Sequence, residues 1–397
     1  VILTSSSWRS VANVALSRAG HRRRRHALGS AREVLSAAEH RTGLSDWGDP
    51  HFTDGLHALL GGLRDLDDLT PLGVLTFRRL IDQLLVNRLR FVSDPTPRHE
   101  LRAPIIITGL PRSGTTLLHR LLGLDPCHHA PPLWELLDPF AASPPALRRL
   151  RTRLQVLVKN RLLPALDRKH YTRAETPEEC TLLLANSFSS SLLSDMAPLR
   201  RYQQWYQSSS HEVAYAEYRR QIEILQARYP DQRLVLKAPA HLAHLPELVR
   251  AVPEASLVQT HRDPTECFFS QCSLLETLSR LAIDRPSRTT ITDKVQRTFE
   301  HDLERNLEFH DQAAAEVLHV GYSGLRADPV ATVGAARQHL GLSWSSDDLR
   351  RATEYVDHNP QHRFGRHDVV DSDWCVSVRQ IDERFADYRD RFAGELG

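Results

Sequence analysis

The residues that first suggest chemistry form the run Gly109-Leu110-Pro111-Arg112-Ser113-Gly114-Thr115-Thr116. Its two glycines have the G-x-x-x-x-G spacing of a nucleotide-phosphate loop, whose backbone N–H groups point at an anion held on a helix N-terminus. Where the nucleoside-triphosphatase pattern requires lysine, the chain has Thr115 followed by Thr116. That lysine ordinarily reaches the β- and γ-phosphates, so its replacement argues against handling of a γ-phosphate. Positive charge enters instead at Arg112, and Ser113, Thr115 and Thr116 add hydroxyl donors. Such a loop suits a 5′-phosphate carrying a second, less charged group.

Further candidates lie downstream. Glu135 follows Pro131-Pro132-Leu133-Trp134 and is 23 positions beyond Arg112. A helix and a return loop of that length would bring its carboxylate back beside the phosphate loop, where it could take a proton from a hydroxyl. Lys237 closes the apolar run Arg233-Leu234-Val235-Leu236. Open α/β sheets bind ligands at the carboxyl ends of their strands, and a lysine buried there needs an anion to meet it. His241, just beyond, is a second candidate base. Arg262 ends another strand, and Asp263 as cap, Pro264 at N1 and Glu266 at N3 start the helix that follows. Arg262 brings a guanidinium fork to the end of that strand, a donor suited to a phosphate monoester. Thr176-Pro177-Glu178-Glu179 has the form of a capping box, so Glu178 and Glu179 read as helix-start residues and not as a carboxylate pair.

Pro111-Arg112-Ser113-Gly114-Thr115-Thr116, behind a hydrophobic strand, resembles the 5′-phosphosulfate loop of the sulfotransferases that use 3′-phosphoadenosine 5′-phosphosulfate (PAPS). The spacing of Arg262 and Ser270 is similar to that family's 3′-phosphate site. Lys237-Ala238-Pro239-Ala240-His241-Leu242, followed by Leu245-Pro246, is similar to a K-x-P-x-H loop of its bacterial members. The resemblance runs from about residue 103 to 390 and implies a role for each matching residue. Arg112, Ser113, Gly114, Thr115 and Thr116 would hold the 5′-phosphosulfate, Arg262 and Ser270 the 3′-phosphate, and Tyr322 the adenine. Arg363 or Arg366, in the polar tail, would close over the 3′-phosphate. Lys237 would support the transferring sulfuryl group and the bridging oxygen. Glu135 would be the general base on a hydroxyl of a small-molecule acceptor, with His241 as the second candidate. The expected reaction is in-line displacement that leaves adenosine 3′,5′-bisphosphate, with no metal.

The elements that must position these groups are those of a P-loop α/β fold with a mainly parallel sheet flanked by helices. Strands are expected at Pro104–Thr108, at Arg233–Leu236, at Ala255–Thr260 and at Glu316–Gly321. Residues 1–100 read as a helical N-terminal extension, with Thr70-Pro71 starting its last helix and Ser93-Asp94-Pro95 ending it. Residues 101–397 read as the α/β domain, with a helical insertion at about 144–229 and a nucleotide-closing C-terminal tail. In the insertion Tyr171, Phe188, Tyr202, Trp205 and Tyr206 are candidates for core or for an acceptor pocket.

Composition sets the outer bounds. The 397 residues are 41% hydrophobic and 25% charged, enough for a substantial core, and a net charge of +2 does not argue for nucleic acid. Five cysteines with no C-x-x-C pair disfavour a disulfide framework or structural zinc, and point to reduced thiols in a cytoplasmic protein. No 18-residue apolar run spans a membrane. The arginine run between His21 and His26 reads as a solvated face. Two alternatives stay open: a P-loop small-molecule kinase, and a nucleotide-binding protein without catalysis. His261-Arg262-Asp263 does not support a protein kinase, because the asparagine required five positions after the aspartate is Phe268. Neither the acceptor nor the oligomeric state follows from these residues.

Overall fold

The structure is a computed structural model and describes residues 27–359 and 374–396. Its centre is a five-stranded sheet: β1 (Ile105–Gly109), β2 (His128–His129), β3 (Arg233–Lys237), β4 (Ser256–His261) and β5 (Val317–Gly321). The spatial order is β2-β3-β1-β4-β5, and every pairing is parallel. Parallel sheets are covered on both faces, which explains why β1 is buried throughout. Its side chains alternate between two cores, as a period of two dictates. Ile105 and Ile107 join Leu118, Leu122, Val235 and Val258 on one face. Ile106 joins Leu234, Leu236, Ile222 and Leu248 on the other. Each such side chain withdrawn from water contributes about 1.5–3 kcal/mol. The expected strands are present, and the two-residue β2 at the sheet edge is an addition to them.

The helices preceding the sheet are α1 (Ala31–Thr42), α2 (Phe52–Asp65) and α3 (Pro71–Val92). As expected, Thr70 caps α3, its Oγ1 accepting from the Gly73 N–H at 3.0 Å, with Pro71 in the first turn. These helices share one core with Ala185, Phe188, Leu199, Tyr202 and Tyr206. Phe188, Tyr202 and Tyr206 are thereby core residues and not pocket lining.

After β1 come α4 (Thr115–Leu122), α5 (Leu133–Leu137), α6 (Pro145–Leu162), α7 (Pro164–Lys169) and, beyond three short helices, α8 (Glu212–Arg228). Behind β4 lie α9 (Pro264–Ser279) and α10 (Arg288–Asp311). Asp263 caps α9 as expected, accepting from the N–H groups of Thr265 at 2.9 Å and Glu266 at 3.1 Å. Thr176 does not begin a helix: the next one is Thr181–Ala185, with Cys180 in the cap position. The Thr176 hydroxyl instead closes a local turn with the backbone of Arg173, and Pro177 bridges to Pro132. The capping-box reading of this segment is therefore corrected. Arg363, Arg366 and the arginine run at 21–26 lie outside the described residues.

Candidate active site

The loop between β1 and α4 owes its shape to three residues with positive φ: Gly109 (139°), Arg112 (76°) and Gly114 (94°). A Cβ at Gly109 would stand 2.5 Å from the Thr260 carbonyl oxygen, so glycine lets β1 and β4 close at the strand ends. Arg112 adopts left-handed backbone geometry despite its side chain, which the surroundings must over-determine. They do so from two sides: its guanidinium donates to Ser270 Oγ at 3.1 Å and to the Lys169 carbonyl at 2.9 Å, while its own carbonyl accepts from Arg262 at 2.9 Å. Ser113 turns its hydroxyl inward, bonding the Leu110 carbonyl and Thr260 Oγ1, each at 2.6 Å. The loop then opens into α4 with Gly114 in the cap position, so the helix's first N–H groups and positive dipole end lie at the loop.

At the end of β3, beside β1, Lys237 is almost wholly buried and its Nζ lies between two elements. It donates to Thr116 Oγ1 on α4 at 3.3 Å and to Glu179 Oε1 at 2.7 Å. The sequence does not single out Glu179 for this position. A capping-box pattern masked it, and its position is set by contacts distant in sequence. The Cys180 N–H donates to the Lys237 carbonyl, and the Glu178 N–H donates to the Pro131 carbonyl. The Glu179 side chain remains 26% exposed, so one buried ammonium is paired with a carboxylate that solvent can still reach. Against the opposing pull of burial, His170 and then Lys237 hold the neighbouring Glu178 carboxyl well below the usual carboxylate range.

At the end of β4, on the other side of β1, the structure brings together Arg112, Ser270, Arg262 and Tyr322. Burial, and then the nearby charge of Arg262, lower the Arg112 pKa. Two guanidinium groups close enough to influence each other's charge favour a multiply charged anion. Arg262 also pairs with Glu266 at 2.7 Å and lies 4.3 Å above the Tyr322 ring, and that ring packs against Gly114. Lys169, a further basic group not read from the sequence, has its Nζ tied to Ser273 and Thr277; burial pulls its pKa down to about 8.

The two bases expected from the sequence are both enclosed by their neighbours. Glu135 is 1% exposed. Its carboxylate contacts His129 Nε2 at 2.7 Å and accepts from the Tyr229 hydroxyl at 2.9 Å, while burial, with the Glu135 charge, pushes Tyr229 up to about 12. His241 is fully buried between Cys180 Sγ at 3.3 Å and the Tyr215 hydroxyl at 2.8 Å, and burial drops its pKa to about 3. It is a neutral core group whose two ring nitrogens are both engaged.

Among the described residues no cluster of histidine, cysteine or carboxylate side chains has the arrangement of a metal site, and no helix is long and apolar enough to cross a membrane. The model of the sulfotransferase family matches residues 104–346, more than half of the chain. The chain is 25% identical over 297 residues to the omega-hydroxy-beta-dihydromenaquinone-9 sulfotransferase Stf3 of Mycobacterium bovis and of Mycobacterium tuberculosis, covering 73% of this chain and 74% of Stf3. Its fold is similar to that of the sulfotransferase STF9 from Mycobacterium avium, with a TM-score of 0.80 at 23% identity over 91% of this chain and 96% of that one. It is likewise similar to STF1 from Mycobacterium tuberculosis, with a TM-score of 0.75 at 28% identity over 91% and 99%. A phosphate loop flanked by two basic strand ends, in a chain so matched, belongs to an enzyme of the sulfotransferase family.

Proposed function

We propose that the enzyme transfers the sulfuryl group of PAPS to a hydroxyl of a small-molecule acceptor, and that Glu179 is the general base. The observation that carries this reading is the position of Lys237, whose ammonium is shared by Thr116 of the phosphate-loop helix and by the partly exposed Glu179. The α4 N-terminus with Thr115 and Thr116 receives the 5′-phosphosulfate. Arg112, Arg262 and Ser270 receive the 3′-phosphate, and Tyr322, beside both, receives the adenine. The relatives named for an omega-hydroxy acceptor accord with a hydroxyl as nucleophile.

In the displacement, the acceptor oxygen forms a bond to sulfur as the bond from sulfur to the bridging 5′-phosphate oxygen breaks. The acceptor proton passes to Glu179. Lys237 and the helix N-terminus stabilise the charge that moves onto the departing phosphate. The two residues are coupled: once Glu179 takes the proton, its hold on Lys237 weakens and the ammonium is freed toward the leaving oxygen. Glu135, sealed under His129 and Tyr229, does not enter this step.

Isothermal titration with adenosine 3′,5′-bisphosphate and with ADP, magnesium omitted, tests the donor assignment. Strong preference for the bisphosphate is expected. Equal or tighter binding of ADP would overturn it in favour of a kinase. Bisphosphate binding with no transfer from PAPS to any hydroxylated acceptor tried would instead mark a protein that binds without catalysing.

A further inference from the structure

Helix α6 presents its apolar side to solvent. The residues that face the protein are Arg148, Thr152 and Val156, all buried and spaced four apart. On the opposite side Leu147, Leu150, Leu154, Leu157 and Val158 are 39–56% exposed. They are five of the six exposed large hydrophobic side chains among the described residues. At about 100° per residue these positions fall within a stripe roughly 100° wide along a helix about 27 Å long. Scattered exposed leucines need no explanation, but a continuous stripe marks an interaction surface.

Charge identifies what covers it. Pro145–Leu162 contains Arg148, Arg149, Arg151, Arg153, Lys159 and Arg161 and no acidic residue. Arg151 borders the stripe on one side and Arg153, which pairs with Glu175, on the other, while exposed Arg161 lies at its end. Arginine along the margins of an apolar helix face is the pattern of a helix lying in the plane of an anionic lipid surface. A second copy of the chain fits less well, because a two-fold contact through this face would set arginine against arginine. The helix is fixed rigidly enough to serve as a platform: the guanidinium groups of Arg148 and Arg149 each lie 4.8 Å from the Trp134 ring centroid. It also leads directly into α7, whose Lys169 carbonyl holds Arg112.

We propose that α6 is an interfacial anchor that seats the enzyme on an anionic membrane surface without crossing it. The inference concerns where the protein sits and does not depend on the donor or the base assigned above.

Flotation of the full chain with vesicles tests it, using phosphatidylcholine alone and phosphatidylcholine with about one-third phosphatidylglycerol. The chain is expected to float with the anionic vesicles and to remain largely unbound with the neutral ones. The triple variant Leu150→Gln/Leu154→Gln/Leu157→Gln should lower that partition by about tenfold or more. Its thermal midpoint should not change, because the replaced side chains face water. Arg151→Gln/Arg161→Gln should weaken the preference for anionic lipid. Failure of the wild-type chain to float with anionic vesicles would overturn the proposal, as would undiminished flotation of the triple variant. A concentration-dependent dimer in light scattering, abolished by the same three substitutions, would assign the face to a second copy. Sulfuryl transfer is not measured in any arm, so these outcomes are separate from those that test the reaction.

Discussion

Glu135 and Glu179 are both glutamates within reach of the strand ends in sequence terms, and the structure gives them opposite circumstances. Glu135 lies under a lid of its own donors: His129 and Tyr229 contact its carboxylate, and water is excluded. Glu179 has one strong partner, the buried ammonium of Lys237, and keeps part of its surface open. A carboxylate satisfied on all sides contributes to folding. One held at a single point by a buried cation, and open elsewhere, can exchange a proton with an incoming group. Partners and access, more than residue type or distance along the chain, decide whether a carboxylate can meet an incoming group.

Glu179→Gln separates the proposed roles of the two glutamates most directly. Turnover with PAPS and acceptor should fall about 10²- to 10⁴-fold, with bisphosphate affinity nearly unchanged. Wild-type turnover in that variant, with loss in Glu135→Gln, would exchange the two roles. Arg262→Ala comes next in size: titration should show bisphosphate affinity lowered about 10- to 100-fold and ADP affinity much less so, since a charge-assisted contact to the 3′-phosphate is removed. Equal losses for both nucleotides would move Arg262 away from the 3′-phosphate. Glu135→Gln should leave turnover within about threefold and lower unfolding stability by about 1–3 kcal/mol in denaturant titration, the cost of weakening two buried hydrogen bonds to a charged group.

A further effect, read in the pH dependence of stability and not in turnover, concerns His241, which belongs with Glu135 among the sealed groups. Its pKa is about 3 in the folded chain, against about 6.5 unfolded. Between those values the unfolded chain binds the additional proton, so stability is full above about pH 6.5 and is lost as pH falls toward 3. The contribution approaches 1.4 kcal/mol per pH unit. His241→Gln should flatten that slope in chemical denaturation measured between about pH 6.5 and 4.5. An unchanged slope would show that His241 is accessible to protons after all.

Features legible in the sequence were those whose geometry is local. The glycine spacing of the phosphate loop, the Thr70 and Asp263 caps and the four apolar strands each depend on residues a few positions apart, and each is present. Glu179 was not legible, because Thr176-Pro177-Glu178-Glu179 satisfies a local rule that its tertiary contacts override. The Leu133 N–H donates to the Thr176 carbonyl and the Trp134 N–H to the Ala174 carbonyl, so this stretch lies extended against residues 131–134. Those partners are about forty positions away, and no periodicity encodes them. The enclosure of His241 was not legible for a related reason. Its partners Cys180 and Tyr215 come from the helical insertion, which closes over it.

The inward-turned hydroxyl of Ser113 has a consequence for the rate at which donor is captured. By tying Leu110 to Thr260, it fastens the loop to the neighbouring strand through the protein's own bonds, with no anion required to complete them. On the donor assignment proposed above, the loop is already shaped before the nucleotide arrives, and the conformational entropy of ordering it belongs to folding. Capture of the donor should accordingly behave as a single encounter step, linear in nucleotide concentration, with no slower rearrangement of the loop to follow.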